Sequence, residues 1–184
     1  VSVSCSANKG SIGAGTGTVI FSGNNTYGGG TQICACTVLQ LGSGGTTGSV
    51  LGNILNDGEL IFNRSNAYTF AGNITGAGNL TQAGTGTTIL PANNGYTGTT
   101  TVNAGALIVD GSIASSTLTT VNAGGTLGGS GTVGVTAIAD GTLAPGNPAG
   151  NTFGPLTVSG SLTFTAASTY LIQVSPTNAG RTNV

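Results

Sequence analysis

Residues 84–111 read GTGTTILPANNGYTGTTTVNAGALIVDG and repeat an earlier stretch, residues 15–42, which read GTGTVIFSGNNTYGGGTQICACTVLQLG. The two stretches align end to end without a gap, with 12 of 28 positions identical. Glycine and threonine are abundant throughout the chain, so the shared Asn-Asn-x-Tyr block is the more specific part of the match. Internal similarity of this kind predicts a repeat architecture.

A shorter period appears further along the chain. The tetrapeptide VNAG at residues 102–105 recurs at residues 121–124, so that Val102 corresponds to Val121. The pentapeptide AGGTL at residues 123–127 recurs loosely as ADGTL at residues 139–143. Both recurrences correspond to a period of about 20 residues, which is typical of solenoids in which each repeat forms one coil.

The segments within each repeat have the pattern of short β-strands. They are rich in Thr, Val, Ile and Leu, and Gly-Gly, Asn-Gly, Asp-Gly and Asn-Asn steps separate them; such steps tolerate the positive φ that tight turns require. No stretch has a sustained helical apolar period, which would predict a helix. The clearest strand segments are Thr18–Phe21, 99–102, 118–121, 156–158 and 161–165.

These strands are too short to bury a core alone. Stacking similar coils lets each coil hydrogen-bond to the next and joins their few inward side chains into one narrow core. Repeated charges would repel at the strand spacing of about 4.8 Å, whereas Thr and Asn ladders share hydrogen bonds. The sequence therefore predicts an all-β fold, a right-handed parallel β-helix of roughly nine coils, about 40 Å long.

The composition excludes several classes of function. The chain of 184 residues has 35 glycines, 4% charged residues and a net charge of −1, and it contains no His, Met or Trp. Without histidine there is no imidazole metal site and no Ser-His-Asp or Cys-His catalytic group. Three Lys and Arg residues cannot form a phosphate-neutralising surface, so we expect no nucleic-acid binding. Because no leader precedes Val1, we expect a mature secreted product or a fragment of a longer chain.

The repeated motif resembles that of a known family. The pattern G-x-G-T, five residues, then N-N-x-Y-x-G, followed by T-x-V-N-A-G, is similar to the passenger-associated transport repeat of bacterial autotransporters, the type V secretion family that includes pertactin-like β-helices. Residues 15–42 and 84–111 both carry the first part, and residues 84–111 also carry the second part, which reads TQICAC in the first copy. The stretch between them resembles the spacer between two copies, and the segments GTLGGSGTV, ADGTLAPGNPAG and LTVSGSLTFTAASTYLIQV from residue 125 onward resemble the end of a passenger.

This resemblance implies a function as well as a fold. It implies a rigid β-helical stalk at the bacterial cell surface or outer membrane, or secreted, which supports adhesion or self-association. Such a segment would be no enzyme and would have no catalytic, cofactor-binding or metal-binding residues and no cofactor. Its implied partners are its own C-terminal outer-membrane β-barrel, absent from this sequence, and ligands on host or neighbouring cells or a second copy of itself.

The resemblance also implies two regions. Residues 1–124 are expected to form the coils that carry the two repeats, and residues 125–184 to form C-terminal coils that act like an autochaperone and seed folding. The second region has larger apolar side chains at closer spacing, which would make it the most stable part of a solenoid. These residues are Leu143, Phe153, Leu156, Val158, Leu162, Phe164, Tyr170, Leu171, Ile172 and Val174.

Two alternative functions remain open on the sequence. The chain could be the non-catalytic part of a secreted enzyme, a hydrolase or one acting on polysaccharide, whose active site lies in N-terminal coils that are missing. It could also bind ice through Thr-x-Thr pairs on flat faces, although these pairs do not recur at one constant coil length. The pairs are Thr16/Thr18, Thr85/Thr87, Thr99/Thr101 and Thr117/Thr119.

The acidic residues offer one catalytic-looking cluster, Asp57 and Glu59 with Arg64 nearby in sequence. Glycoside hydrolysis uses paired carboxylates, so these residue types have the required chemistry. We interpret them instead as an Asn-Asp-Gly turn with one surface ion pair. Asp110 and Asp140 each precede a glycine and are predicted to be turn residues.

The three cysteines form no metal motif. Cys34 and Cys36 stand where the second repeat has Asn103 and Gly105, and the sequence places them on one strand, pointing to the same side. We interpret them as two small buried side chains or a local disulfide. The separation of Cys5 from these two cysteines does not match one coil of about 20 residues, so we do not expect it to pair with either.

Overall fold

The computed structural model describes residues 2–3, 17–147, 153–172 and 181–184. Within these ranges the regular structure is entirely β, as the sequence predicts, and includes no helix able to cross a membrane. In chain order the strands are β1 (Ser2–Val3), β2 (Thr18–Phe21), β3 (Thr31–Ile33), β4 (Val38–Leu41), β5 (Ile54–Asn56), β6 (Glu59–Phe62), β7 (Tyr68–Thr69), β8 (Ile74–Thr75), β9 (Asn79–Gln82), β10 (Thr87–Leu90), β11 (Thr100–Val102), β12 (Gly105–Val109), β13 (Ser112–Ile113), β14 (Thr119–Val121), β15 (Gly125–Gly129), β16 (Thr132–Val133), β17 (Thr136–Ile138), β18 (Thr142–Pro145), β19 (Pro155–Val158), β20 (Leu162–Phe164), β21 (Thr169–Tyr170) and β22 (Arg181–Asn183).

The strands form four parallel sheets that run along a solenoid. The longest has eight strands in the order β2-β4-β6-β9-β11-β14-β17-β20, and a second has six in the order β7-β10-β12-β15-β18-β21. Two four-stranded sheets, β1-β3-β5-β8 and β13-β16-β19-β22, complete the coils. The parallel β-solenoid is therefore confirmed, while its right-handedness and the count of roughly nine coils stay predictions.

The register of the sheets confirms the short sequence periods. Val102 pairs with Val121, as the recurrence of VNAG predicts, and Thr126 pairs with Thr142, as the recurrence of the Gly-Thr-Leu step predicts. The spacing between the two copies of the long repeat is not a coil length, because each strand pairs with the next coil and not with the other copy.

Columns of aliphatic side chains form the core. Leu39, Leu60 and Leu80 are consecutive register partners in the eight-stranded sheet, and none has exposed surface. Leu127 and Leu143 are stacked in the same way in the six-stranded sheet. Burying each such side chain contributes roughly 1.5–3 kcal/mol, and the stacking extends one narrow core through successive coils.

Glycine is required where successive coils touch at their corners. A Cβ atom at Gly131 would overlap the carbonyl oxygen of Gly111 in the preceding coil. Side chains at these corners would force the coils apart and break the hydrogen bonds between them, which accounts for much of the glycine in the composition.

The C-terminal apolar residues divide into two groups. Leu143, Leu156 and Val158 are buried, and Phe153 and Leu162 are partly buried. The remaining described members are exposed by 42–51% on the last coil, and Val174 lies outside the described residues. The exposed members are Phe164, Tyr170, Leu171 and Ile172. Burial of these four therefore does not supply the stability that the sequence predicts for residues 125–184, and the special role of that region stays a prediction.

Candidate functional site

The Asn-Asn-x-Tyr block of the second repeat forms a corner of the solenoid at which Asn94 and Tyr96 are buried. The Asn94 side chain accepts a hydrogen bond from the Ile74 amide at 2.9 Å and donates to the Ala92 carbonyl at 2.9 Å. Further along the block, the Tyr96 ring has no exposed surface, and its hydroxyl lies 2.6 Å from Thr100 Oγ1. Desolvation by this burial raises the pKa of Tyr96 far above its usual range.

The first repeat makes similar contacts. Asn25 Nδ2 donates to the carbonyls of Gly23 and Ser49, each at 3.1 Å, and the Tyr27 hydroxyl lies 2.9 Å from Thr31 Oγ1. The polar atoms of the repeated motif are therefore used inside the fold. The motif stabilises a corner at which the chain passes from one coil to the next. Because each copy acts at its own corner, the two copies need not be one coil apart.

The acidic pair lies in an open groove on the outside of the solenoid. Asp57 and Glu59 line it together with Cys36 and Asn79, and its volume is about 330 Å³. Both carboxylates accept hydrogen bonds from the next coil: Asp57 from the Ala77 amide at 3.1 Å, and Glu59 from a threonine hydroxyl at 2.9 Å. These contacts fit the turn that we predicted.

The predicted surface ion pair is wrong, because Arg64 is buried. Its side chain is only 7% exposed, and the guanidinium carbon lies 4.6 Å from the centre of the Tyr68 ring. Nη1 donates to the Gly48 carbonyl at 2.7 Å, Nη2 donates to the Thr46 carbonyl, and Nε donates to Asn66 Oδ1 at 3.1 Å. Arg64 therefore holds the glycine-rich excursion of residues 42–50 against the body of the solenoid.

Tyr68 completes this arrangement. Its hydroxyl donates to the Val50 carbonyl at 3.3 Å, and desolvation raises its pKa, although that hydrogen bond and the nearby Arg64 charge partly oppose the rise. Strand β7, which contains Tyr68, is the first strand of the six-stranded sheet. The excursion thus lies next to β7, the end strand of this sheet. The outer edge of an end strand would otherwise be open to association. The sequence signal for this contact is an arginine four residues before a tyrosine. This pattern is too common to be specific.

The placement of the cysteines on one strand is also wrong. Strand β3 ends at Ile33, and Cys36 lies in a turn with a φ of 68° and an exposed side chain, whereas Cys34 is half-buried. The Thr37 amide closes this turn on the Cys34 carbonyl at 3.1 Å. Cys5 lies outside the described residues. Because Val3 pairs with Ile33, the first coil is about as long as the separation between Cys5 and the other cysteines, so the coil-length argument against pairing Cys5 does not hold.

The other two acids are corner residues, as predicted. Asp110 is exposed directly after β12 and accepts a hydrogen bond from the Ser130 amide at 3.2 Å. Asp140 has a φ of 64° and binds the Thr165 hydroxyl of the next coil. In the part of the chain that the structure describes, no three His, Cys, Asp or Glu side chains are grouped so that they could hold a metal ion.

The Thr-x-Thr pairs do not form a regular outward array. Thr99 is exposed and Thr101 is half-buried on the outer face of the eight-stranded sheet, but Thr119 points inward with no exposed surface. The Thr117/Thr119 pair therefore presents a single hydroxyl outward, and Thr16 lies outside the described residues. The outer face carries stacked polar side chains instead, as in the 2.7 Å hydrogen bond between Asn122 and Asn103.

Comparison with known proteins agrees with this geometry. The passenger-associated-transport-repeat family matches residues 14–35 and 80–109, which overlap both copies of the repeat. The chain is 47% identical over 93 residues to the Adhesin BmaC autotransporter of Brucella suis biovar 1 (strain 1330), covering 48% of this chain and 3% of that protein. It is 38% identical over 106 residues to the Extracellular serine protease of Serratia marcescens, covering 54% of this chain and 10% of that protein. No solved structure matches the chain.

These matches confirm the resemblance seen in the sequence. The chain is a parallel β-solenoid with two stretches that match the passenger-associated-transport-repeat family, and its similarity to the two relatives supports an autotransporter passenger domain. The chain spans only a small part of each relative. The names of the two relatives, one an autotransporter and the other extracellular, agree with the expected location at the cell surface or outside the cell.

Proposed function

We propose that this chain is a structural segment of an autotransporter passenger, a rigid stalk that supports adhesion or self-association at the bacterial surface. The observation that carries the proposal is the continuous eight-stranded parallel sheet, whose stacked buried side chains join successive coils into one unit. The polar groups of the repeated motif are used within the fold, which supports a structural role for the repeats. The match to an adhesin supports the choice of adhesion.

A replacement experiment tests the stalk. In the full precursor, residues 17–147 are either deleted or replaced by an unrelated β-solenoid segment with the same number of coils, and cell adhesion and cell–cell aggregation are measured. A stalk requires length and rigidity but no particular surface, so we expect the replacement to retain adhesion and the deletion to reduce it. If the replacement loses adhesion while its surface display is unchanged, these residues bind the ligand themselves and the stalk proposal is wrong.

The proposed partner within the full protein is a C-terminal translocator barrel, and the proposed role of residues 125–184 is to seed folding. Deletion of residues 125–184 from the precursor would then leave the remaining passenger sensitive to protease. Deletion of a single internal coil, residues 54–73, serves as the control. Equal protease sensitivity in the two deletions would contradict a special role for the C-terminal coils.

The second candidate function is the non-catalytic part of a secreted enzyme. The similarity to an extracellular serine protease favours it. This candidate predicts that the full precursor hydrolyses a protein substrate while the present chain alone does not. A precursor without hydrolytic activity in a casein assay would remove the protease form of this candidate.

A further inference from the structure

Residues 94 and 95 form the only Asn-Gly dipeptide in the 184-residue sequence. Asparagine is among the thermolabile residues, and glycine, which has no Cβ, leaves its own backbone nitrogen open to attack the preceding side chain. In that reaction the Gly95 nitrogen loses its proton and forms a bond to Asn94 Cγ, the Cγ–Nδ2 bond breaks, and ammonia leaves. Water then opens the succinimide ring to an aspartyl or isoaspartyl residue.

In the folded solenoid the Gly95 nitrogen and the Asn94 side-chain amide are both engaged in hydrogen bonds. The Gly95 amide donates its proton to the Ile74 carbonyl at 2.8 Å, so the nucleophilic nitrogen is engaged. Asn94 Oδ1 accepts from the Ile74 amide at 2.9 Å, and Nδ2 donates to the carbonyls of Ala92 at 2.9 Å and Ser112 at 3.4 Å. Asn94 is also only 5% exposed, which limits the access of water.

We propose that Asn94–Gly95 is a deamidation site whose reactivity is controlled by folding of the second repeat. In the unfolded chain the dipeptide reacts, and in the folded coil it is protected. The deamidated fraction of Asn94 therefore increases with the time that a chain has remained unfolded.

The product would not fit the folded corner. An aspartate at position 94 has no proton to donate, so its carboxylate would face the carbonyl oxygens of Ala92 and Ser112 in a buried place, which is unfavourable. An isoaspartyl linkage adds a methylene group to the backbone between the Cα of residue 94 and the Gly95 nitrogen, and it would shift the Gly95 amide, which donates to the Ile74 carbonyl at 2.8 Å. A chain modified before folding would therefore lose stability at this coil.

The first repeat supplies a natural control. Asn25 occupies the position equivalent to Asn94 and makes similar hydrogen bonds, but Thr26 follows it in place of glycine. A side chain at that position hinders the attack, so the first copy should resist deamidation even when unfolded. Gly95 itself has room for a side chain, because a Cβ there would lie 3.9 Å from the nearest atom, Thr75 Cγ2.

Peptide mass spectrometry tests the proposal. The 184-residue chain is incubated at mildly alkaline pH, folded in buffer or unfolded in guanidinium chloride, and the mass increase of the Asn94 peptide is followed. We expect at least tenfold faster conversion in the unfolded chain, and conversion of Asn94 well ahead of Asn25. Equal rates in the folded and unfolded chains would overturn the proposed control by folding.

Two variants complete the test. Gly95→Thr recreates the dipeptide of the first repeat, and in guanidinium chloride its Asn94 should convert as slowly as Asn25; conversion at the wild-type rate would overturn the assignment. Asn94→Asp reproduces the aspartyl product, and its midpoint of denaturation should fall more than that of Asn25→Asp, which is less buried. An unchanged midpoint for Asn94→Asp would refute the claim that the product does not fit.

Discussion

The buried guanidinium of Arg64 leads to the sharpest prediction, the effect of Arg64→Met. Methionine keeps an unbranched apolar stem against Tyr68 but removes the charge and all three hydrogen bonds. The Gly48 carbonyl would be left without its partner in a buried position, which costs about 1–3 kcal/mol. The Thr46 backbone is exposed, so water can replace the arginine there.

Two further terms adjust this value. Loss of the contact between the guanidinium and the Tyr68 ring costs about 0.5–2 kcal/mol. Removing a buried charge relieves its desolvation penalty and offsets part of the loss. We therefore expect Arg64→Met to lower the free energy of unfolding by about 2 kcal/mol. Arg64→Lys should also destabilise, because an ammonium group lacks the planar fork that reaches two carbonyls at once.

Urea denaturation followed by circular dichroism measures these changes. The controls are Asp57→Asn and Glu59→Gln, which should change the stability by no more than about 0.5 kcal/mol each, because both acids lie in an open groove. Glu59→Gln also keeps an acceptor for the Thr81 hydroxyl. If Arg64→Met unfolds at the same urea concentration as the wild type, the arginine is solvated and the clamp on residues 42–50 does not exist.

Three other measurements test the structure. Tyr96→Phe should lower the free energy of unfolding by about 1–2 kcal/mol, because it removes a buried hydrogen bond. Tyr27→Phe, at the half-buried equivalent position, should lower it by about 0.5 kcal/mol or less. Equal losses would contradict the difference in burial. The pKa of Tyr68 is raised above its ordinary value of 10 in the folded state. As the pH rises past about 10, the Tyr68 hydroxyl therefore loses its proton first in the unfolded chain, and the stability of the fold falls. The urea midpoints of Tyr68→Phe should depend less on alkaline pH than those of the wild type. Cys36→Gly should raise the stability by about 0.5–1 kcal/mol, because it relieves a positive φ on a non-glycine residue; any decrease would mean that the cysteine side chain has a role in the fold.

The strands and the coil periods could be predicted because local sequence determines them. Strand β2 occupies the predicted residues 18–21, and the recurrence of VNAG coincides with the pairing of Val102 with Val121. In a parallel solenoid, equivalent residues of successive coils have the same environment, so a repeated sequence directly reports the register. The number of coils was harder to predict, because the coil length varies: the coil that runs from Thr126 to Thr142 is much shorter than the next one, from Thr142 to Thr169.

The burial of Arg64 could not be predicted, because it depends on contacts between residues distant in sequence. Its carbonyl partners, Gly48 and Thr46, lie in a glycine-rich excursion that has no strand pattern. Charge is a good predictor of exposure only where no partner is available. Here backbone carbonyls, an amide oxygen and an aromatic ring satisfy the guanidinium, and none of these partners appears as a charge in the sequence.

The position of Cys36 shows how a repeat alignment predicts backbone conformation as well as register. The alignment of the two copies places Cys36 opposite Gly105, and the two residues have φ values of 68° and 59°. At position 105 a glycine is required, because a Cβ there would overlap the carbonyl oxygens of Gly84 and Gly86. At position 36 the conformation is the same, but the side chain points into the open groove, so a cysteine is tolerated at the cost of local strain. The sequence predicts one strand through both cysteines, but the glycine in the other copy is the better guide, because equivalent corners of the two repeats share their backbone geometry.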